Sequence, residues 1–62
     1  MNAHILYEKM KKYFDGDVSK TMLWFQTENP SLGGQKPLDM IRKGRVGKLN
    51  TFIDNALAGN YP

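Results

Sequence analysis

Apolar residues recur at intervals of three and four near both ends of this chain, which is the spacing of one face of an α-helix. The first stripe predicts a helix over residues 3–14 and consists of Leu6, Met10, Tyr13 and Phe14. The last predicts a helix over about residues 45–58 and consists of Val46, Leu49, Ile53 and Leu57. No segment shows the alternation of a β-strand, so the pattern indicates an all-α fold.

A second helix is predicted over about residues 18–27. Asp17 or Ser19 is its expected N-cap, because short oxygen-bearing side chains accept from the free N–H groups of a first turn. Its shared face consists of Val18, Met22 and Phe25. Pro30 follows closely, and the residue before a proline is pushed out of the α region, which ends the helix.

A third short helix is predicted to begin at Pro37, whose fixed φ suits the first helical position. Leu38 and Ile41 are expected to face inward. Glycines that can adopt a left-handed conformation follow three of the four predicted helices. They are Gly16, Gly44 and Gly59.

Between the second and third helices the chain concentrates residues that control the backbone. Asn29 and Pro30 are expected to start a tight turn, and Gly33 with Gly34 permits positive φ at little cost. The expected fold is a small all-α bundle of about four short helices, with a Pro/Gly-rich corner between helices 2 and 3.

Length and composition limit the function further. Sixty-two residues make a single domain, 1–62, and a chain this short buries only about 60% of its unfolded surface. The chain has no cysteine and one histidine, which excludes a disulfide framework and argues against a zinc site. No apolar run is long enough to span a bilayer, and the start of the chain does not resemble a signal peptide, so a cytoplasmic location is expected.

Catalytic candidates are sparse. His4 with Glu8 is interpreted as a surface ion pair, and Asp15 with Asp17 as capping groups. The segment 32–36 has the glycines of a phosphate-binding loop but follows a helix and lacks Lys next to Ser or Thr, so a structural turn is favoured. We therefore predict that the protein is not an enzyme and that it binds neither a cofactor nor a metal ion.

Two features point to partner binding. A basic cluster surrounds the junction of the third and fourth helices, and it suits either an acidic protein surface or nucleic-acid phosphates, although cations also stabilise a helix C-terminus. It consists of Arg42, Lys43, Arg45 and Lys48. Tyr61 near the chain end is the second feature, since tyrosine is favoured at interfaces.

The corner also carries a resemblance to a known family. Its Asn-Pro-x-Leu-Gly-Gly-x-x-Pro-Leu core, at 29–38, resembles the toxin-binding C-terminal domain of Xre/MbcA/ParS-type antitoxins. Matching positions outside this core are Phe14, Gly16, Asp17, Trp24, Asp39, Ile41, Gly44, Val46 and Gly59. The resemblance covers about residues 14–61, so residues 1–14 are an N-terminal helix and 15–62 the antitoxin-like region. The chain departs from the family pattern at Thr21, Lys36 and Gly47.

The resemblance implies an antitoxin-like module that forms a homodimer and neutralises a RES-type toxin, one that attacks NAD or ADP-ribosylates a target, by blocking its active site. It implies contacts through the last helix and the chain end, at Arg45, Lys48, Asn60 and Tyr61. The motif residues are expected to be structural: Trp24, Asn29, Pro30, Leu32, Gly33, Gly34, Pro37 and Leu38.

Two alternatives stay open at this point. The chain could be a small transcriptional regulator that uses residues 42–48 on DNA, or an accessory oligomerisation partner of a longer DNA-binding homologue. The family usually carries a helix-turn-helix upstream, and residues 1–13 are too short for one, so nucleic acid is not the expected partner.

Overall fold

A computed structural model describes residues 2–59 of the protein. It contains four α-helices: α1 (Ala3–Tyr13), α2 (Val18–Gln26), α3 (Pro37–Arg42) and α4 (Val46–Leu57). A short 3₁₀ helix, Pro30–Leu32, lies between α2 and α3. The all-α prediction is confirmed, and the ends of α1, α2 and α4 lie within one residue of the predicted ends.

The helices pack around one hydrophobic core. Helix α1 packs against α2 and α4, and α3 packs against the same two helices on its side of the bundle. The buried core side chains are Leu6, Met10, Phe25, Met40, Leu49 and Ile53. Ile41 packs against this core, as predicted, whereas Leu38 is half-buried outside it. The deeply buried side chain of α3 is Met40, which was not predicted.

The predicted apolar stripes are wider than the core that they surround. Tyr13, Val18 and Leu57 lie at the ends of their helices and are 56%, 49% and 42% exposed. Met22 is also largely exposed. Short helices in a small bundle cover only the middle of the stripes of α1 and α4, so periodicity identified these two faces but not their buried length. The face predicted for α2 was wrong apart from Phe25, because the other buried side chain of α2 is Thr21.

Capping hydrogen bonds mark the end of α1 and the start of α2. The Asp17 carboxylate accepts from the Lys20 N–H at 3.0 Å, which identifies Asp17 as the N-cap of α2. At the end of α1, the Asp15 N–H donates to the Lys12 carbonyl and the Gly16 N–H donates to the Lys11 carbonyl. Asp15 therefore occupies the left-handed C′ position that was predicted for Gly16, with φ of 54°, and Gly16 follows it with φ of 83°.

The corner between α2 and α3 closes on Asn29. Its side-chain oxygen accepts from the Ser31 N–H at 2.9 Å, and its carbonyl accepts from the N–H groups of Leu32 and Gly34 at 2.9 and 3.0 Å. The Asn29 N–H donates to the Gln35 carbonyl at 3.0 Å. Both glycines have positive φ, so the predicted turn is confirmed.

A polar clamp, Lys9–Asn50–Asp54, joins the first helix to the last. The Lys9 ammonium donates to the side-chain oxygens of Asn50 and Asp54 at 2.7 and 2.8 Å, and the Asn50 amide donates to the same carboxylate at 3.3 Å. The Lys9 side chain is only 29% exposed. Because its stem crosses from α1 to α4, the clamp fixes how the two helices align.

Thr21 is the one buried polar side chain among residues 2–59. Its hydroxyl donates to the Asp17 carbonyl at 2.7 Å, so the group is satisfied one helical turn back. This bond explains how threonine can occupy a buried position, at one of the places where the chain departs from the family pattern.

Candidate partner-binding site

The turn from α3 into α4 sets the position of the candidate site. The Gly44 N–H donates to the Ile41 carbonyl at 3.0 Å, and the Arg45 N–H donates to the Met40 carbonyl at 2.8 Å. This pair of bonds needs a left-handed residue, and Gly44 supplies it with φ of 76°. Three residues, 43–45, therefore connect the exposed end of α3 to the start of α4.

The basic cluster lies on this turn and on the first helical turn of α4. The Arg42 guanidinium lies 3.6 Å from the Asp39 carboxylate, an exposed pair of small energetic value. The other three cations of the cluster are exposed and have no carboxylate partner within residues 2–59. These three define the basic surface: Lys43, Arg45 and Lys48. Arg45 and Lys48, both predicted to bind a partner, are thus available for one.

A groove of about 610 Å³ runs between the corner and α4. The corner side includes Leu32 and Gln35, and the α4 side includes Lys48, Thr51 and Asn55. Met40 and Phe52 also line it. We call this the corner–α4 groove, and its volume lies within the range of protein ligand sites.

Gln35, on the corner side of this groove, has one side-chain acceptor that is buried and unpaired. Its side-chain amide donates to the Leu32 carbonyl at 3.3 Å, which fixes the orientation of the amide, since the reversed group would set two oxygens against each other. The Gln35 Oε1 is buried and has no donor among residues 2–59. A buried acceptor left unpaired lowers the stability of the domain.

A second concave surface is almost wholly apolar. It lies where α1, α2 and α3 meet, and it has a volume of about 170 Å³. Its lining is Ala3, Tyr7, Met22, Phe25, Gln26, Leu38 and Ile41. We call it the apolar cleft; none of its lining residues is charged.

The residues considered as catalytic, phosphate-binding or metal-binding candidates lie in surroundings that are typical of structural residues. His4 and Glu8 lie 3.6 Å apart with their side chains 75% and 47% exposed, as a surface pair should. The N–H groups of Gly33 and Gly34 donate to carbonyls within the corner, so they do not point outward to bind a phosphate. Within residues 2–59 no three side chains of the His, Cys, Asp or Glu type come together as a metal site would require.

Comparison with protein families adds the decisive observation. The model of the antitoxin Xre/MbcA/ParS C-terminal toxin-binding domain matches residues 11–51, about two thirds of the chain. The chain belongs to this family. The match runs from the last turn of α1 to the middle of α4 of the antitoxin domain, and so contains the whole corner. Neither the curated proteins nor the solved structures gave a match.

Membership in this family supports an antitoxin-like function for the chain, with a toxin as its protein partner. The longest helix, α4, has 12 residues, and within residues 2–59 no helix has the length and apolar character needed to cross a membrane.

Several motif residues of the antitoxin domain have visible structural roles. Trp24 is half-buried and packs edge-on against Phe25, with ring centroids 5.0 Å apart. Pro37 is buried at the first position of α3, and Lys36 before it makes no side-chain cap, as the lysine there predicts. Leu38 lines the apolar cleft and Leu32 the corner–α4 groove.

The predicted contact residues are only partly described. Arg45 and Lys48 lie together on the basic surface, whereas Asn60 and Tyr61 lie outside the described residues. Sequence reasoning missed Gln35, because nothing in the sequence distinguishes a glutamine whose oxygen is buried from one in solvent. It also missed the clamp, although Asn50 and Asp54 have the spacing of one helical face.

Proposed function

We propose that this antitoxin domain neutralises a RES-type toxin, one that consumes NAD or ADP-ribosylates a target, by covering the toxin's active site. The family match over residues 11–51 carries the proposal. Supporting it, the matched segment places the basic surface on the outside of the bundle, where a protein partner can reach it. Blocking of this kind needs tight binding and no chemistry by the domain itself, so we propose that the protein is not an enzyme. We also propose that it acts in the cytoplasm.

The proposed contacts lie on and beyond α4. Arg45 and Lys48 are the cations that we assign to the toxin interface, together with Asn60 and Tyr61. Neither Arg45 nor Lys48 has a carboxylate partner within residues 2–59, so binding would not first have to break an ion pair at these two residues. Arginine and tyrosine are also among the residues that contribute most to binding energy at interfaces.

We also propose that the whole chain, 1–62, is one domain that includes its first helix. Helix α1 supplies Leu6 and Met10 to the core, although most of α1 precedes the family match. The clamp at Lys9 ties the same helix to α4.

We propose a homodimer that pairs two copies through the apolar cleft. Each copy carries a net charge of +3, so self-association is least opposed where no lining residue is charged. Met22 at 44% and Ile5 at 43% exposure are large apolar side chains on the helices that form the cleft. Replacing Met22 with Lys should give monomers in sedimentation, while Ser19→Lys on the same helix should not.

Co-expression tests the antitoxin function directly. The chain should co-purify with the product of a neighbouring RES-type reading frame and relieve its toxicity and NAD loss. Arg45→Gln combined with Lys48→Gln should weaken the complex, whereas Lys12→Gln, an exposed cation of α1, should not. A wild-type chain that neither captures the toxin nor restores growth would refute the proposal.

The regulator alternative is favoured by one observation, the three unpaired cations of the basic surface. If these cations bound DNA phosphates, the logarithm of the affinity would fall with the logarithm of salt with a slope of about −2.7, roughly −0.9 for each phosphate. Absence of binding to duplex DNA at low salt would remove this alternative. Mixing with a longer homologue and measuring the mass in solution tests the accessory role.

A further inference from the structure

A groove rich in aromatic side chains lies where the end of α1 meets α2 and α4. Its volume is about 310 Å³, and its lining includes four of the chain's seven aromatic residues. These four are Tyr13, Phe14, Trp24 and Phe52. Ala56 forms part of its α4 side, and the core residues Met10 and Ile53 also line it. We call this the aromatic groove; because its lining contains no charged residue, it suits an uncharged aromatic occupant.

The end of α4 lies beside this groove and turns the chain back. The Gly59 N–H donates to the Ala56 carbonyl at 3.2 Å, and Gly59 has φ of 78°. A left-handed glycine at this position carries the chain across the helix end, where an apolar side chain that follows commonly packs on the last turns. The next two residues are Asn60 and Tyr61, and only Tyr61 brings an aromatic ring.

We propose that Tyr61 seats its ring in the aromatic groove of its own chain. At about 1.5 Å per residue, Ala56 lies roughly 4.5 Å back along the helix axis from Gly59. The two residues from Gly59 to Tyr61 span up to about 7 Å, so the ring can enter the groove from its α4 side. The seated ring covers Tyr13, which is 56% exposed, and apolar surface is removed from water on both sides.

The short connection favours this tyrosine over any other molecule. Two linking residues give an effective concentration of about millimolar, whereas a second copy at micromolar concentration loses its free translation and rotation on binding. The corner–α4 groove also borders α4, but there its α4 side is polar, with Lys48, Thr51 and Asn55, and suits a ring less well. Seating in the free domain does not require a toxin, and under the proposed function Tyr61 must leave the groove before it can contact one.

Trp24 is the only tryptophan of the chain, so its fluorescence reports on the aromatic groove. Without toxin, we expect Tyr61→Ala to shift the emission to longer wavelength, because water replaces the ring, and to increase quenching by acrylamide. Its melting temperature should fall by about 4 °C. Tyr61→Phe keeps the ring and Asn60→Ala changes only the neighbouring side chain, so both should match the wild type. Tyr61→Ala that matches the wild type refutes the seating.

Nuclear Overhauser effects locate the ring. We expect them between Tyr61 and protons of Tyr13 and Ala56, within one molecule. Contacts with Thr51 and Asn55 instead would place the ring in the corner–α4 groove. Contacts found only between isotopically labelled and unlabelled copies would make the aromatic groove a dimer interface. Either result overturns the inference without affecting the antitoxin function, which co-expression with the toxin tests separately.

Discussion

Gly47 lies in the first turn of α4, beside the residues that we assign to the toxin. Its backbone is helical, and a Cβ placed on it would meet no atom within 4 Å. Alanine there would add neither strain nor burial. The remaining effect is the helix propensity, which favours alanine over glycine by about 1 kcal/mol in a helix interior and somewhat less near an end.

We therefore expect Gly47→Ala to raise the free energy of unfolding by about 0.5–1 kcal/mol. The Thr51 hydroxyl bonds the Gly47 carbonyl at 3.2 Å, and this backbone acceptor is unaffected by the substitution. For a domain of this size such a gain raises the melting temperature by about 4–8 °C. Far-ultraviolet circular dichroism, with heat and with urea at one fixed protein concentration, measures it.

Gly44→Ala is the matched control, because it places the same methyl group three residues earlier in equally open space. Its φ of 76° is left-handed, so alanine should cost about 1–2 kcal/mol. The reasoning is refuted if Gly47→Ala destabilises the domain, or if the two variants behave alike. If Gly47→Ala is stabilised and still loses toxin affinity, the methyl group lies in the interface, which would extend the basic surface to this residue.

Three further substitutions test other parts of the fold by chemical denaturation. Asp15→Gly should raise the free energy of unfolding by up to about 1 kcal/mol, because it removes a non-glycine residue from a left-handed conformation, and any loss would contradict that account. Asn29→Ala should cost about 1 kcal/mol by removing the acceptor of the Ser31 N–H, while Asn29→Asp keeps an oxygen there and should cost less; equal losses would show that the bond is unimportant. Lys9→Met should cost about 1 kcal/mol and less in high salt, while Lys12→Met should change little, and equal effects would exclude the clamp.

The local features of this fold could be predicted from the sequence because they depend on neighbouring residues. Helix periodicity, the cap at Asn29 and the stop at Gly44 each involve contacts within a few positions. Asp15 was missed as the C′ residue because aspartate tolerates the left-handed region less well than the glycine next to it. The choice between them depends on where the last helical bond falls, which periodicity fixes only to within a residue.

Features that depend on distant residues could not be predicted in this way. Met40 is buried because α3 meets both α2 and α4, and a six-residue helix has too few apolar positions to show which side faces the bundle. Gln35 and Lys48 share a groove only because the corner folds back beside α4. Their combination is visible in the structure alone, and Arg45 and Lys48 were expected as contacts from the family resemblance rather than from geometry.

The clamp at Lys9 has a consequence for how the protein is made. Its two partners lie 41 and 45 residues later in the chain, so at about 5–20 residues per second they are synthesised roughly 2–9 s after Lys9. During this interval Leu6 and Met10 lack the cover that Leu49 and Ile53 provide in the finished core. Helix α1 therefore cannot bury its core side chains until α4 has been made, so the bundle is completed only after nearly all of the described residues have been synthesised.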